Sequence, residues 1–175
     1  MTLLEQKHLA LLDEAERRGQ TDIGNMRLCF EVLSLAASID RACAGRLAPH
    51  NLSEGKFVLL FLLRDLPEGL APHELAERAG VTRATVTGLL DRLERDGFLA
   101  RHNDRQDRRK VSVRLTEKGQ ATAAELFHEH SRWIGSLFAG FDAAERVVLG
   151  NMLQRVWRNV TLPHDDPAAT EAPSP

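Results

Sequence analysis

Residues 72–110 constrain this chain more than any other stretch. A helix-forming run, Pro72-His73-Glu74-Leu75-Ala76-Glu77-Arg78-Ala79, leads into Gly80-Val81. A second helical run extends from Thr82 or Arg83 to Asp96. Ala76 is small where two helices must cross closely. Gly80, four residues later, suits a turn that requires a left-handed backbone. Val81, Val86 and Leu89 are placed to hold the second helix against the first. Leu89, Leu90 and Leu93 are too few for a coiled-coil seam and fit core packing. The other face carries Thr82, Arg83, Thr85, Thr87 and Gly88. Hydroxyls and an arginine at a helix N-terminus suit phosphates and base edges. Gly88 costs the helix about 1 kcal/mol against alanine and would allow a close approach of DNA or protein backbone.

By itself this segment also fits a helical hairpin within a bundle. The next residues decide between the two. Residues 98–101 and 111–115 read as strands, the second with clear alternation. Between them lies Asp104-Arg105-Gln106-Asp107-Arg108-Arg109-Lys110, with four cations in the six positions from 105 to 110. A solvated hairpin tip needs no such interleaving of acid and base. Some arginines can pair with Asp104 or Asp107 and stiffen the tip, leaving others for phosphate or a narrow minor groove. The expected fold is mainly α with a small β-hairpin wing, a winged helix-turn-helix flanked by long helices.

The formal net charge is −2, so any DNA-binding positive charge must be local to one face. No run of about 18 apolar residues is present, and no membrane span is expected. Residues 1–20 lack the basic start and apolar core of a signal peptide. The two cysteines, Cys29 and Cys43, form neither a disulfide framework nor a zinc pattern, which fits a reducing cytoplasm. No metal spacing, phosphate loop or nucleophile motif occurs, so no cofactor and no enzymatic activity are expected. His128 and His130 lie two apart on a predicted helix and point away from each other.

Around the centre the chain is helical. Residues 1–20 are expected to form an N-terminal extension helix. Residues 21–50 and 117–162 supply long dimerisation helices, residues 51–116 the winged domain, and residues 163–175 a disordered tail. The helix from about 22 to 47 is apolar around more than one stripe, including Ile23, Met26, Leu28, Phe30, Val32, Leu33 and Leu35. Such a helix is buried on more than one side, and a partner subunit is a natural cover. Ser53, Thr116 and Asp142 are placed as helix caps. Ala123, Ala124, Leu126, Phe127, Trp133, Ile134 and Leu137 are expected to be buried on one late helix. Val147, Val148, Leu149, Met152, Leu153, Val156 and Trp157 form the apolar side of the last. The run 57–63 is apolar enough to be core throughout. Terminal helices around a DNA reader suit a dimer that reads two half-sites about one duplex turn apart.

The run from Gly80 to Phe98 resembles the MarR family of bacterial transcription regulators. So does Asp104-Arg105-Gln106-Asp107-Arg108-Arg109, followed by Val113-Arg114-Leu115-Thr116-Glu117-Lys118-Gly119. The resemblance covers residues 22–160 in helix order and is sharpest over 72–119. It implies a homodimer on a palindromic double-stranded operator, usually a repressor, released by a small aromatic or anionic ligand. The family's DNA contacts carry over to Thr82, Arg83, Thr85 and Thr87 in the recognition helix. In the wing they carry over to Arg105, Arg108 and Arg109. A ligand site is expected between the dimer helices and the winged domain. Arg27, Phe30, His50, Phe57 and Phe61 are its candidates, with plain core packing the alternative for the phenylalanines and a surface ion pair for Arg27. Leu28-Cys29-Phe30 is similar to the sensing segment of the organic-hydroperoxide branch, which would make Cys29 a thiol-based oxidation sensor. That branch holds its cysteine with tyrosines, and this chain has none. A buried, structural role is therefore the first reading of both cysteines. The N-terminal helix exceeds the minimal family plan and could cover the ligand cleft or add dimer contacts.

Overall fold

The computed structural model describes residues 3–103 and 111–161. The chain divides into two compact units, Met1–Glu125 and Leu126–Pro175. In order, the elements are α1 (Gln6–Arg17), α2 (Ile23–Leu47), a 3-10 turn (Ala48–His50), α3 (Glu54–Leu63), α4 (Pro72–Ala79) and α5 (Arg83–Arg95). Then follow β1 (Leu99–Asn103), β2 (Val111–Leu115), α6 (Glu117–Leu137) and α7 (Ala143–Thr161).

Helix α1 buries His8, Leu12 and Ala15, residues on one face, and it occupies twelve residues within the expected 1–20. Gly19 closes it at φ +67°, and the Gln20 N–H returns to the Ala15 carbonyl at 3.0 Å, satisfying a terminal acceptor. Helix α3 begins at Ser53, whose hydroxyl accepts from the Lys56 N–H. Leu59, Leu60 and Leu63 on α3, Leu75 on α4, and Val86, Leu90 and Leu93 on α5 are all fully buried. They form the core of the winged part together with Leu99 and Val113. Phe61 departs from the sequence expectation: it is 41% exposed, because the buried stripe of a ten-residue helix cannot include every apolar residue of a continuous run.

Strands β1 and β2 pair antiparallel in the register Leu99↔Leu115, Arg101↔Val113 and Asn103↔Val111. Leu70 bridges to Val113 outside this pair and extends the hairpin inward. Thr116 caps α6, accepting from the Gly119 N–H at 3.1 Å. In the second unit, Asp142 and Glu145 cap α7 reciprocally: each carboxylate accepts from the other residue's N–H at 2.8 Å. Trp133 on α6 is buried, whereas Ala124, Ile134 and Leu137, expected to be buried on the same helix, are exposed. No residue of α7 is buried.

Candidate nucleic-acid interface

Helix α5 is held by its buried side and leaves its N-terminal turns open. Gly80 adopts φ +66°, ψ 30°, the left-handed turn expected between the two helices. The Val81 N–H bonds back to Ala76 O at 3.1 Å. Val81 itself is 39% exposed, so Val86, Leu90 and Leu93 anchor α5 without it. Thr82 is the N-cap. Its hydroxyl oxygen accepts from the Thr85 N–H at 3.1 Å and lies 2.8 Å from the Thr85 hydroxyl. The Thr87 hydroxyl donates to the Arg83 carbonyl at 2.9 Å. Thr82, Arg83, Thr85 and Thr87 are all exposed on this helix, as the sequence reading requires. A Cβ added at Gly88 would meet nothing within 4 Å, so packing inside the chain does not require a glycine there. The wing residues Arg105, Arg108 and Arg109 lie outside the described residues, as does the tail 163–175.

The base of the wing is clasped to α5 by one arginine. The Arg101 guanidinium donates to Asp91 at 2.6 Å and to Glu94 at 2.5 Å, and its backbone N–H donates to Glu94 at 3.1 Å. One positive charge thereby offsets about half of the negative charge of two α5 carboxylates, which reduces their repulsion of any polyanion. No spacing rule in the sequence indicates this pairing.

A second polar node ties the C-terminal end of α5 to the start of α3, the segment before it and the first turn of α6. Lys56 is only 8% exposed. Its ammonium donates to Asp96 at 2.8 Å and to the Asn51 carbonyl at 3.0 Å. The Asn51 amide also reaches Asp96, at 3.4 Å. Lys118, at the start of α6, donates to the Asp96 carbonyl at 2.7 Å and covers the Phe98 ring at 4.2 Å. A buried ammonium persists only with such partners. The sequence signal was available: Lys56 sits one residue before an unbroken apolar run.

The hydrogen bond from Lys56 holds the Asp96 carboxyl below its ordinary range, against an opposing push from partial burial, with the charges of Lys56, Arg95 and Lys118 adding to the effect. A carboxyl depressed by folding contributes stability that is complete above its unfolded value, about 3.9. That contribution is lost as pH falls through the folded value. We predict that Asp96→Asn weakens the dependence of the thermal midpoint on pH below about 4. Parallel midpoint curves for the two proteins would refute this.

The effector candidates are not gathered in one place. Phe30 is half-buried and stacks on His8, with centroids 4.7 Å apart and planes 5° apart. His8 Nδ1 in turn lies 3.0 Å from the buried Ser34 hydroxyl, which docks α1 on α2. Phe57 is buried core. Phe61 has Arg64 over its ring at 5.6 Å. Arg27 is exposed. Two cavities are described. One of about 340 Å³ is lined by His50, Asn51, Asp96, Phe98, Lys118 and Thr122, among others, and so contains one candidate. The other, of about 710 Å³, lies between the start of α4 and the wing strands and contains none of them. Neither cysteine is in a disulfide; Cys43 is buried as expected and Cys29 is exposed, contrary to the packing role read for it. Among the described residues, no group of three or more His, Cys, Asp or Glu side chains could hold a metal ion.

The geometry agrees with comparisons to known proteins. The model of the MarR family matches residues 52–111. The HTH-type transcriptional repressor YetL of Bacillus subtilis (strain 168) is 34% identical over 162 residues, covering 87% of this chain and 97% of YetL. The structure of Bordetella bronchiseptica BpsR, whose DNA binding is regulated by 6-hydroxynicotinic acid, matches with a TM-score of 0.59 at 30% identity, covering 72% of this chain and 90% of BpsR. Streptococcus pneumoniae FabT, solved in complex with DNA, shares the fold with a TM-score of 0.65 at 23% identity, covering 78% of this chain and 96% of FabT. No helix of the described residues is long and apolar enough to cross a membrane. With its capped recognition helix, its hairpin wing and these relatives, the chain belongs to the MarR family of winged helix-turn-helix transcription regulators, which are DNA-binding proteins and not enzymes.

Proposed function

We propose that this chain is the protomer of a homodimeric, cytoplasmic repressor that binds a palindromic operator and is released by a small aromatic or anionic effector. One observation carries the dimer. Helix α7 has no buried residue, yet Val147, Met152, Leu153, Val156 and Trp157 are each 47–66% exposed along it. An apolar helix side of this extent needs a partner surface. Leu28, Val32, Leu33 and Leu35 on α2 are likewise exposed. Residues 21–50 and 117–162 therefore serve dimerisation and residues 51–116 read DNA, with the helix of residues 1–20 docked on α2 through the His8–Ser34 contact.

Two copies of α5 would enter successive major grooves, with Thr82, Arg83, Thr85 and Thr87 at the DNA. Arg105, Arg108 and Arg109 of the wing would meet phosphate or the minor groove. The regulation of BpsR by 6-hydroxynicotinic acid supports an aromatic or anionic effector class. The candidate contacts remain Arg27, Phe30, His50, Phe57 and Phe61, and His50 shares its cavity with the Lys118 ammonium, a suitable counter-charge for a carboxylate.

The test is binding to the duplex upstream of the protein's own gene across a salt series. Arg105→Ala and Arg109→Ala should each weaken binding about 10-fold and lower the salt slope by about one, without changing the oligomeric state. Salt-independent binding by the parent protein would refute the reading, and unchanged affinity in both variants would remove the wing from it. A second reading is favoured by the exposure of Cys29: release by oxidation of its thiol. Under the first reading Cys29→Ser still leaves DNA when 6-hydroxynicotinic acid or a similar aromatic acid is added. Under the second, peroxide releases the parent protein and not the variant.

A further inference from the structure

On α5, the donor capacity of the three threonine hydroxyls is largely spent locally. The Thr82 oxygen accepts from the Thr85 N–H and the two hydroxyls bond to each other, which leaves one hydroxyl hydrogen between them. At a helix N-terminus that hydrogen suits a phosphate, which carries no sequence information. The single hydroxyl hydrogen of Thr87 is committed to the Arg83 carbonyl. The hydroxyl oxygen can then only accept, and on this exposed side chain the methyl is the group left to pack against an apolar surface.

The cations of the same helix are divided in a similar way. Arg83 is exposed, and among the described residues no carboxylate pairs with it. Arg92 and Arg95 belong to the last turn of α5, and Arg101, which abuts it, is committed to Asp91 and Glu94. Arg83 is therefore the guanidinium left free for base edges on the first two turns. Arg83 and Thr87 are four residues apart, on one stripe and about 6 Å along the axis, within two base-pair steps of about 3.4 Å.

We propose that Arg83 and Thr87 set the sequence of the operator half-site. Arg83 donates two hydrogen bonds to O6 and N7 of a guanine. Thr87 packs its methyl, and not its hydroxyl, against the methyl of a thymine within two base pairs of that guanine. This rests on α5 being the DNA-recognition helix. Ala84, exposed beside Arg83, adds no polar group that would compete for the guanine.

The test is selection from a pool of randomised duplexes with the full-length protein and three variants, each first checked for parental helicity and oligomeric state. The parent should recover a palindrome with one invariant G·C pair and a neighbouring T·A pair in each half. Arg83→Ala should lose the G·C preference alone, by about 10-fold per half-site. Thr87→Val, which keeps the methyl, should retain the T·A preference, and Thr87→Ser, which keeps only the hydroxyl, should lose it. The inference is overturned if Arg83→Ala leaves every selected position in place, or if serine retains and valine loses the T·A pair. If the parent enriches no sequence at all, the reading of the chain as an operator-binding protein fails, and the half-site assignment falls with it.

Discussion

Replacing Leu153 and Trp157 together by glutamate is expected to convert the protein to a monomer and lower operator affinity 100-fold or more. The two side chains are 47% and 66% exposed on a helix that buries none of its residues. Placing two carboxylates in an apolar subunit contact costs far more than a surface substitution, because neither finds a partner there. The loss of DNA affinity follows from the loss of the second reader: two linked half-site contacts exceed one by a factor of about 10²–10⁴. Sedimentation at micromolar protein and a binding titration on one operator duplex measure both effects. A double variant that still sediments as a dimer would place the subunit contact elsewhere. One that is monomeric yet binds with parental affinity would remove the two-fold reader. The winged part should stay folded in either case, since its core of Leu59, Leu60, Leu75, Val86, Leu90 and Val113 lies in the first unit.

Gly119→Ala should destabilise the fold by about 3 kcal/mol, although alanine is the better helix former. A Cβ at Gly119 would lie 1.9 Å from the Phe98 carbonyl oxygen and 3.3 Å from Leu115 Cβ. The first obstacle is backbone, and it is pinned: the same oxygen accepts from the Thr116 N–H at 3.0 Å. The Thr116 hydroxyl holds Gly97 O at 2.8 Å, and Lys118 holds Asp96 O at 2.7 Å. The end of α5 and the start of α6 therefore cannot separate without breaking these bonds. Gly88→Ala is the control of opposite sign. Nothing in the chain obstructs its Cβ, so it should gain about 1 kcal/mol. Chemical denaturation of both variants decides the matter, and a Gly119→Ala protein as stable as Gly88→Ala would refute the close approach.

The two glycines show what was legible in the sequence. Both read as helix residues near the DNA reader. Only the tertiary structure separates Gly119, where a Cβ would meet a carbonyl, from Gly88, where a Cβ would meet nothing within the chain. Local signals were legible because they rest on nearest neighbours. Ser53, Thr116 and Asp142 cap where their positions indicate, Gly80 takes the left-handed turn, and β2 spans the expected residues. The resemblance from Gly80 to Gly119 was legible for the same reason, since a reader of DNA places its caps, turn and basic tip at fixed intervals.

Apolar content was less informative about which side chains are covered. Phe61, Ile134 and the apolar side of α7, apart from the half-buried Leu149, are exposed, because periodicity reports that a face is to be buried and not what buries it. The candidate effector residues were not resolved either. Phe30 turned to His8, Phe57 to the core, and His50 to a cavity beside Lys118. By itself the sequence determined the order of elements, the helix caps and the left-handed turn before α5, which depend on spacing along one chain. Tertiary structure alone decided that Lys56 meets Asp96 across 40 residues and that Arg101 clasps Asp91 and Glu94. Such pairings depend on how separate elements pack, and spacing along the chain carries no record of that.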